Sequence, residues 1–314
     1  MRFFPLIALL FAANLAAAAE QLQGELKAHD PSTIVECNGE YWMFATGQGL
    51  RSLHSHDLVH WSEGPRVFDK APDWTSRTVP GNTGYFWAPD VIKIGNEYRL
   101  YYSVSVFGLN TSAIGLATNP TLDPRDLGYH WTDRGIVIRS GNGDAFNAID
   151  PAVVHAPDGK QWLAFGSYWS GIKLIELNRT TGLRASPNSP MYSLAHHDSI
   201  EAAYIYHHGV YFYLFVNWGM CCRGVRSTYE IRIGRSRKIE GPYLDQSGVD
   251  MMRDGGTPFL VTRGRFIGPG HAGIISATAT EWLSYHFYDA ENQGRGTLGI
   301  SRLRWRGDGW PEAL

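Results

Sequence analysis

Residues 30–47 read DPSTIVECNGEYWMFATG. An apolar run with β-branched residues ends at Asn38-Gly39, and a second run, rich in aromatics, follows it. Asn-Gly between two such runs is the signal of a tight β-hairpin. The hairpin opens on a charged residue, Asp30, set directly before a strand that belongs in a core. Four further stretches have the same form: PDVIKIGNEYRLYYSVS from Pro89, DPAVVHAPDGKQWLAFGS from Asp150, EAAYIYHHGVYFYLFVN from Glu201 and HAGIISATATEWLSYHF from His271. Each has a polar opener, an apolar strand, a short turn (Asn38-Gly39, Gly95-Asn96, Asp158-Gly159, His208-Gly209, Thr278-Ala279) and an aromatic-rich second strand. Taking Asp30, Asp90, Asp150, Glu201 and His271 as openers, the spacings are 60, 60, 51 and 70 residues.

A repeat of this length built from short strands predicts a β-propeller. Third strands are visible in LRSLHSHDLVHW, SAIGLATNP and GIKLIELN, and shorter runs before each opener supply fourth strands. Almost nothing has helical periodicity. The expected fold is therefore all-β, a five-bladed β-propeller. A β-sandwich or jelly roll is the competing fold, and it leaves the recurring opener without a reason.

The composition agrees. The 314 residues include 11 Trp, 16 Tyr, 14 Phe and 35 Gly, with a formal net charge of −2. No basic patch points to nucleic acid. Met1-Arg2, the apolar run Phe3–Leu15 and Ala17-Ala18-Ala19 read as a signal peptide over residues 1–19, shorter than a membrane span. A single propeller domain over residues 20–314 and secretion to an extracellular or periplasmic space are the expectation, with no membrane partner and a monomeric chain. Three cysteines leave an odd count in a compartment that permits disulfides. Cys221 pairs with Cys222, or one of them pairs with Cys37, or all three are free. No CxxC or HExxH motif suggests zinc.

In a propeller the first strand of each blade lines a central channel, so equivalent openers converge at one end of it. The repeat thus predicts that Asp30, Asp90, Asp150, Glu201 and His271 face one region. Like charges gathered there raise one another's pKa and cost stability unless they have work to do. Two carboxyls across a cleft hydrolyse a glycosidic bond: one donates a proton to the leaving oxygen, the other attacks or activates water. Trp87, Phe146, Tyr168, Trp169 and Trp218 lie near openers or second-strand ends, where aromatics stack on sugar faces. Asn147, Ser167 and Asn217 lie beside the site by repeat position as candidate partners of sugar hydroxyls.

The ordered motifs AHDPS (28–32), YFWAPDV (85–91), AIDPAV (148–153), SIEAAYI (199–205), GPGHAGI (268–274) and RLRWRGDGWP (302–311) resemble glycoside hydrolase family 43, and within it the endo-1,5-α-L-arabinanases. The resemblance implies an inverting hydrolase acting on arabinan or arabino-oligosaccharides. It implies Asp30 as the general base, Glu201 as the general acid and Asp150 as the third acid that orients Glu201 and raises its pKa. It implies His271 as a ligand to a channel metal ion, usually calcium. It gives Asp90 no catalytic role, which leaves it structural or a substrate contact. His286 reads as a packed or supporting histidine. An exo-acting arabinofuranosidase or β-xylosidase of the same fold and a non-catalytic sugar-binding propeller are the alternatives. A retaining fructan hydrolase requires Asn where His29 stands.

Overall fold

The computed structural model describes residues 21–277 and 280–314. The signal-peptide reading of residues 1–19 and the Thr278-Ala279 turn lie outside them. Five antiparallel sheets follow one another along the chain. Blade I contains Val35–Cys37, Glu40–Ala45, Arg51–Ser55 and His60–Glu63. Blade II contains Tyr85–Ile94, Glu97–Val104, Ser112–Asn119 and Thr132–Ser140. Blade III contains Ala152–His155, Gln161–Phe165, Ile172–Leu177 and Met191–Ala195. Blade IV contains Ile200–His208, Tyr211–Trp218, Glu230–Ser236 and Thr257–Leu260. Blade V contains Phe266–Ala277, Thr280–Asp289, Arg295–Trp305 and Pro311–Ala313. The fold is the five-bladed propeller that the repeat predicts.

The hairpin turns follow local chemistry. Asn38 and Gly39 both adopt positive φ, as a two-residue hairpin turn of this hand requires. In blade IV the turn is Gly209-Val210, one residue beyond the predicted His208-Gly209, because His208 still pairs with Tyr211. The ring is closed by the N-terminal segment. Gln23–Gly24 adds a parallel strand to the edge of blade I, and Lys27 bridges Thr297 in blade V. One short segment therefore staples first blade to last and covers edges that would otherwise be open.

Apolar side chains meet between blades. Phe44 and Leu50 pack on Phe86 and Leu100 between blades I and II, and Leu116 packs with Leu163 between II and III. Leu174 packs with Leu214 between III and IV, Phe215 with Leu283 between IV and V, and Met43 with Leu298 between I and V. The alternation of strand residues sends one set to each neighbouring blade.

The five openers are not equivalent positions. The backbone turns left-handed once per blade at the channel mouth, at Asp30, Ala88, Asp150, Ala202 and His271. At each of these residues the N–H is caught by a side chain of the preceding blade. Ala88 N donates to Thr46 Oγ1 (2.9 Å), Asp150 N to Ser103 Oγ (2.9 Å) and Ala202 N to Asp150 Oδ2 (3.1 Å). His271 N donates to Asn217 Oδ1 (2.9 Å), and Asp30 N closes the circle on His286 Nδ1 (3.1 Å). A left-handed residue leaves its N–H outside the regular ladder, and burial then demands another acceptor. Five such links fix the blades to one another where the site forms.

In this register Glu201 sits one residue before the left-handed position and Asp90 two residues after it. Asp90 accordingly points away from the mouth. Its Oδ1 accepts from Thr33 N (3.0 Å) and its Oδ2 from Val153 N (2.8 Å), so it ties blades I and III to blade II. Burial lifts its pKa to about 6, against the pull of those amides. Asp90 is structural, and the expectation that it faces the same region as the other openers is corrected.

Candidate active site

The channel mouth opens into a cleft of about 980 Å³. Asp30, Asp150 and Glu201 all line it, so three of the five predicted openers do converge there. The first strands of blades I, III and IV deliver them.

Asp30 lies among three histidines. Its Oδ2 is 2.9 Å from His29 Nδ1 and accepts from Thr46 Oγ1 at 2.7 Å. Its Oδ1 is 3.6 Å from His271 Nδ1 and 3.8 Å from His286 Nδ1. Burial disfavours the charged carboxylate, but His29, by charge and hydrogen bond, and then His271 and His286 outweigh it. Asp30 is held far below the usual carboxylate range and is ionised. The same pairing raises His29 in spite of its burial. His286 accepts from Asp30 N through Nδ1, so its proton is on Nε2, a buried atom with no partner among the described residues. Burial keeps His286 neutral well below its ordinary pKa. His29 stacks on it at 4.3 Å.

Glu201 has the opposite environment. Tyr229 donates to Oε1 and Ser167 to Oε2, each at 2.8 Å. Burial is the larger effect and, with repulsion from Asp30, raises its pKa despite those donors. Asp150 is raised as well, by burial first and then by Glu201 and Asp30. The pair therefore tends to hold a proton while Asp30 is charged. Gly270 makes room for this arrangement: a Cβ there would stand 2.4 Å from the Tyr229 ring. The glycine of GPGH allows the tyrosine to reach Glu201.

The predicted sugar contacts divide. Trp87, Asn147, Ser167, Tyr168 and Trp169 line the cleft. Asn147 Oδ1 is buried with no partner among the described residues. Tyr168 and Trp169 adopt positive φ, a cost that side chains of this size bear at functional sites. Asn217 does not line the cleft. Its Nδ2 donates to Glu230 O and Pro269 O while Oδ1 holds His271 N, so the amide is fully used in joining blades IV and V. Phe146 packs against Phe165, and Trp218 stacks on His197 at 3.9 Å with the Arg232 guanidinium over its ring. Neither lines the cleft.

His271 lies just below Asp30, in the wall of a small channel void that Asp90 and Tyr204 also line. Burial lowers its pKa, and neither ring nitrogen has a hydrogen-bond partner among the described residues. A neutral imidazole with a free lone pair fits a metal donor. The chain offers it little oxygen company: the Asp90 oxygens are occupied, and calcium takes six to eight oxygen ligands. Any such ion would be held by His271 and water.

Several lining residues carry no motif of their own in the sequence. Tyr229 is one tyrosine among sixteen. Thr46 closes the second strand of blade I, where the polar ends Thr46, Ser103, Asn217 and His286 of the aromatic strands were a usable signal for the blade-to-blade links. Phe107, Leu109 and Met220 give the cleft an apolar, exposed rim. Cys221 and Cys222 form a disulfide with each other in the cleft wall, and Cys37 is free and buried. The Cys37 sulfur accepts from Leu122 N at 3.3 Å, which ties blade I to the loop after the third strand of blade II.

A five-bladed propeller that gathers three carboxyls in one cleft at its channel mouth fits a class, the propeller glycoside hydrolases. The model of glycosyl hydrolases family 43 matches residues 24–311, and the chain belongs to that family. It is 39% identical, over 96% of its length and 90% of the relative's, to the extracellular exo-α-(1→5)-L-arabinofuranosidase ArbA of Cellvibrio japonicus. It is 40% identical, over 90% and 86%, to the extracellular endo-α-(1→5)-L-arabinanase 1 of Bacillus subtilis. Among solved structures it is similar to a Cellvibrio cellulosa α-L-arabinanase complexed with arabinohexaose, with TM-score 0.89, 38% identity and coverage of 93% and 96%.

Proposed function

We propose that the chain is a secreted hydrolase that cleaves α-1,5-linked L-arabinan with inversion, in the endo mode. Asp30 is the base that activates water, Glu201 the acid that protonates the leaving oxygen, and Asp150 the neighbour that keeps Glu201 protonated and positions it through Ala202 N. The observation that carries this reading is the contrast in environment: Asp30 is held ionised by its pairing with His29, and Glu201 is raised by burial. An acid and a base prepared in advance are what single displacement by water needs. Attack by water on one face and proton donation on the other give the inverted product in one step.

Trp87, Tyr168 and Trp169 supply faces for sugar rings, and the unpartnered Asn147 Oδ1 is an acceptor for a hydroxyl. His271 is the one protein donor we assign to a channel metal ion, calcium in the first instance, completed by water. When bound, that ion adds positive charge beneath Asp30 and favours its ionised form. The chain acts as a monomer. Chelation should lower activity or melting temperature; an unchanged rate and melting point would remove the metal.

Exo-cleavage is the second reading, favoured by the similarity to the Cellvibrio exo-arabinofuranosidase. Product analysis on linear and branched arabinan beside xylan separates the readings. Mixed oligosaccharides early in the reaction support endo-cleavage. A single short product from the first minutes supports exo-cleavage, and turnover of xylan alone would sink both.

A further inference from the structure

The Cys221–Cys222 disulfide stands beside the groups that hold Asp30. Cys222 N donates to the Tyr288 hydroxyl at 2.6 Å, and that hydroxyl lies 2.8 Å from His29 Nε2. Cys222 Sγ is 3.7 Å from the same nitrogen. The other ring nitrogen, Nδ1, faces Asp30 Oδ2 at 2.9 Å. A proton on Nδ1 is thus held by the carboxylate, and Nε2 faces the Tyr288 hydroxyl and the sulfurs. The two sulfurs and one ring nitrogen of His29 all lie within 4.8 Å of one another. In tetrahedral zinc coordination, with Zn–S about 2.3 Å and Zn–N about 2.0–2.1 Å, sulfur and nitrogen stand roughly 3.6 Å apart. The observed 3.7 Å is already that separation.

We propose that reduction of this disulfide creates a site for one zinc-class divalent cation, bound by Cys221, Cys222 and His29 Nε2, and that the ion closes the cleft. A dithiol reductant supplies two electrons and two protons. The S–S bond breaks, two cysteine thiols form, and the reductant leaves as its own disulfide. Cation binding then releases both cysteine protons and the proton that charged His29 carries on Nε2, and the ion takes two thiolates, the imidazole lone pair and a water. Two sulfurs and a nitrogen select against calcium and magnesium, which prefer oxygen. Asp30 behind His29 completes a carboxylate–histidine–metal arrangement that orients the ring. The ion displaces Tyr288 from Nε2 and stands in the wall where substrate passes. The oxidised pair has no thiolate to offer, so the site exists only after reduction.

Cobalt(II) is the probe. Full-length protein is reduced with a dithiol, freed of reductant without air, and titrated. The expected result is one cobalt per folded chain with a thiolate-to-cobalt charge-transfer absorption. Oxidised protein gives no such band. Cys222→Ala, kept reduced, binds at least tenfold more weakly and loses most of the band, whereas Cys37→Ala retains it. Zinc should inhibit the reduced enzyme at least tenfold more strongly than the oxidised one, reversibly with EDTA. The proposal is overturned by a folded reduced chain without the band, by equal binding to the oxidised chain, by a band that survives Cys222→Ala, or by loss of fold on reduction as read by circular dichroism. The cobalt band does not depend on which glycan is cut, so its outcome is separate from that of the proposed activity.

Discussion

Tyr229→Phe should move the alkaline limb of the pH profile upward. The phenol donates to Glu201 Oε1 at 2.8 Å, a bond that favours the ionised carboxylate. Burial opposes it and prevails, so Glu201 already lies above its ordinary pKa. Removing the donor leaves that opposition unbalanced. A hydrogen bond to a charged group contributes about 1.5–3 kcal/mol. At about 1.36 kcal/mol per pH unit, this corresponds to roughly one to two units. Screening by a replacement water reduces it, and we expect a rise of about one unit in the pH at which kcat/KM falls on the alkaline side. The acidic limb, set by Asp30, stays in place. Phe keeps the ring that packs at Gly270, so the fold is retained. The assay is kcat/KM on linear arabino-oligosaccharides across the pH range in which both proteins remain folded. An alkaline limb that stays put or moves down refutes the role of Tyr229. A uniform fall in kcat with no shift would mean that Tyr229 acts through packing alone.

Three further outcomes follow from the same geometry. Asp30→Ala and Glu201→Ala should each reduce turnover of linear arabinan by about 10²–10⁴-fold or more, with circular dichroism and melting close to wild type; near-normal rates in either variant would remove that residue from the chemistry. Asp90→Ala should destabilise the fold by about 2–4 kcal/mol in urea unfolding, because Thr33 N and Val153 N lose their acceptor. The gap to wild type should narrow by about 1–2 kcal/mol between about pH 5 and about pH 7.5. The folded pKa of Asp90, about 6, lies above the unfolded value, so wild type loses stability as pH rises between the two; a gap that widens with pH would contradict this sign.

Much of the architecture was legible because strand alternation and turn chemistry are local. Asn38-Gly39 and Gly95-Asn96 name their turns, and the motif order places the blades. The register of the openers was not legible. Asp30, Asp90, Asp150 and Glu201 look alike as charged residues before apolar runs, but their directions depend on where the left-handed residue falls, and that residue is alanine at 88 and 202. The left-handed residue breaks the regular alternation of the strand, so directions are set by the distance from it and not by alternation alone. A one-residue offset aims Glu201 into the cleft beside Asp150, and a two-residue offset sends Asp90 below it. Asn217 and His286 were hidden for a related reason. They serve the next blade rather than their own, through contacts 54 and 256 residues apart in the chain.

The central claim is that an ionised Asp30 directs water while Glu201 gives up its proton, in a single displacement. Proton NMR of the first sugar released from linear arabinan tests it most directly. The β-anomer should appear first, with the α-anomer growing only as mutarotation proceeds. An initial α-arabinofuranose signal would contradict it, because retention requires two displacements and a carboxylate that attacks the sugar itself.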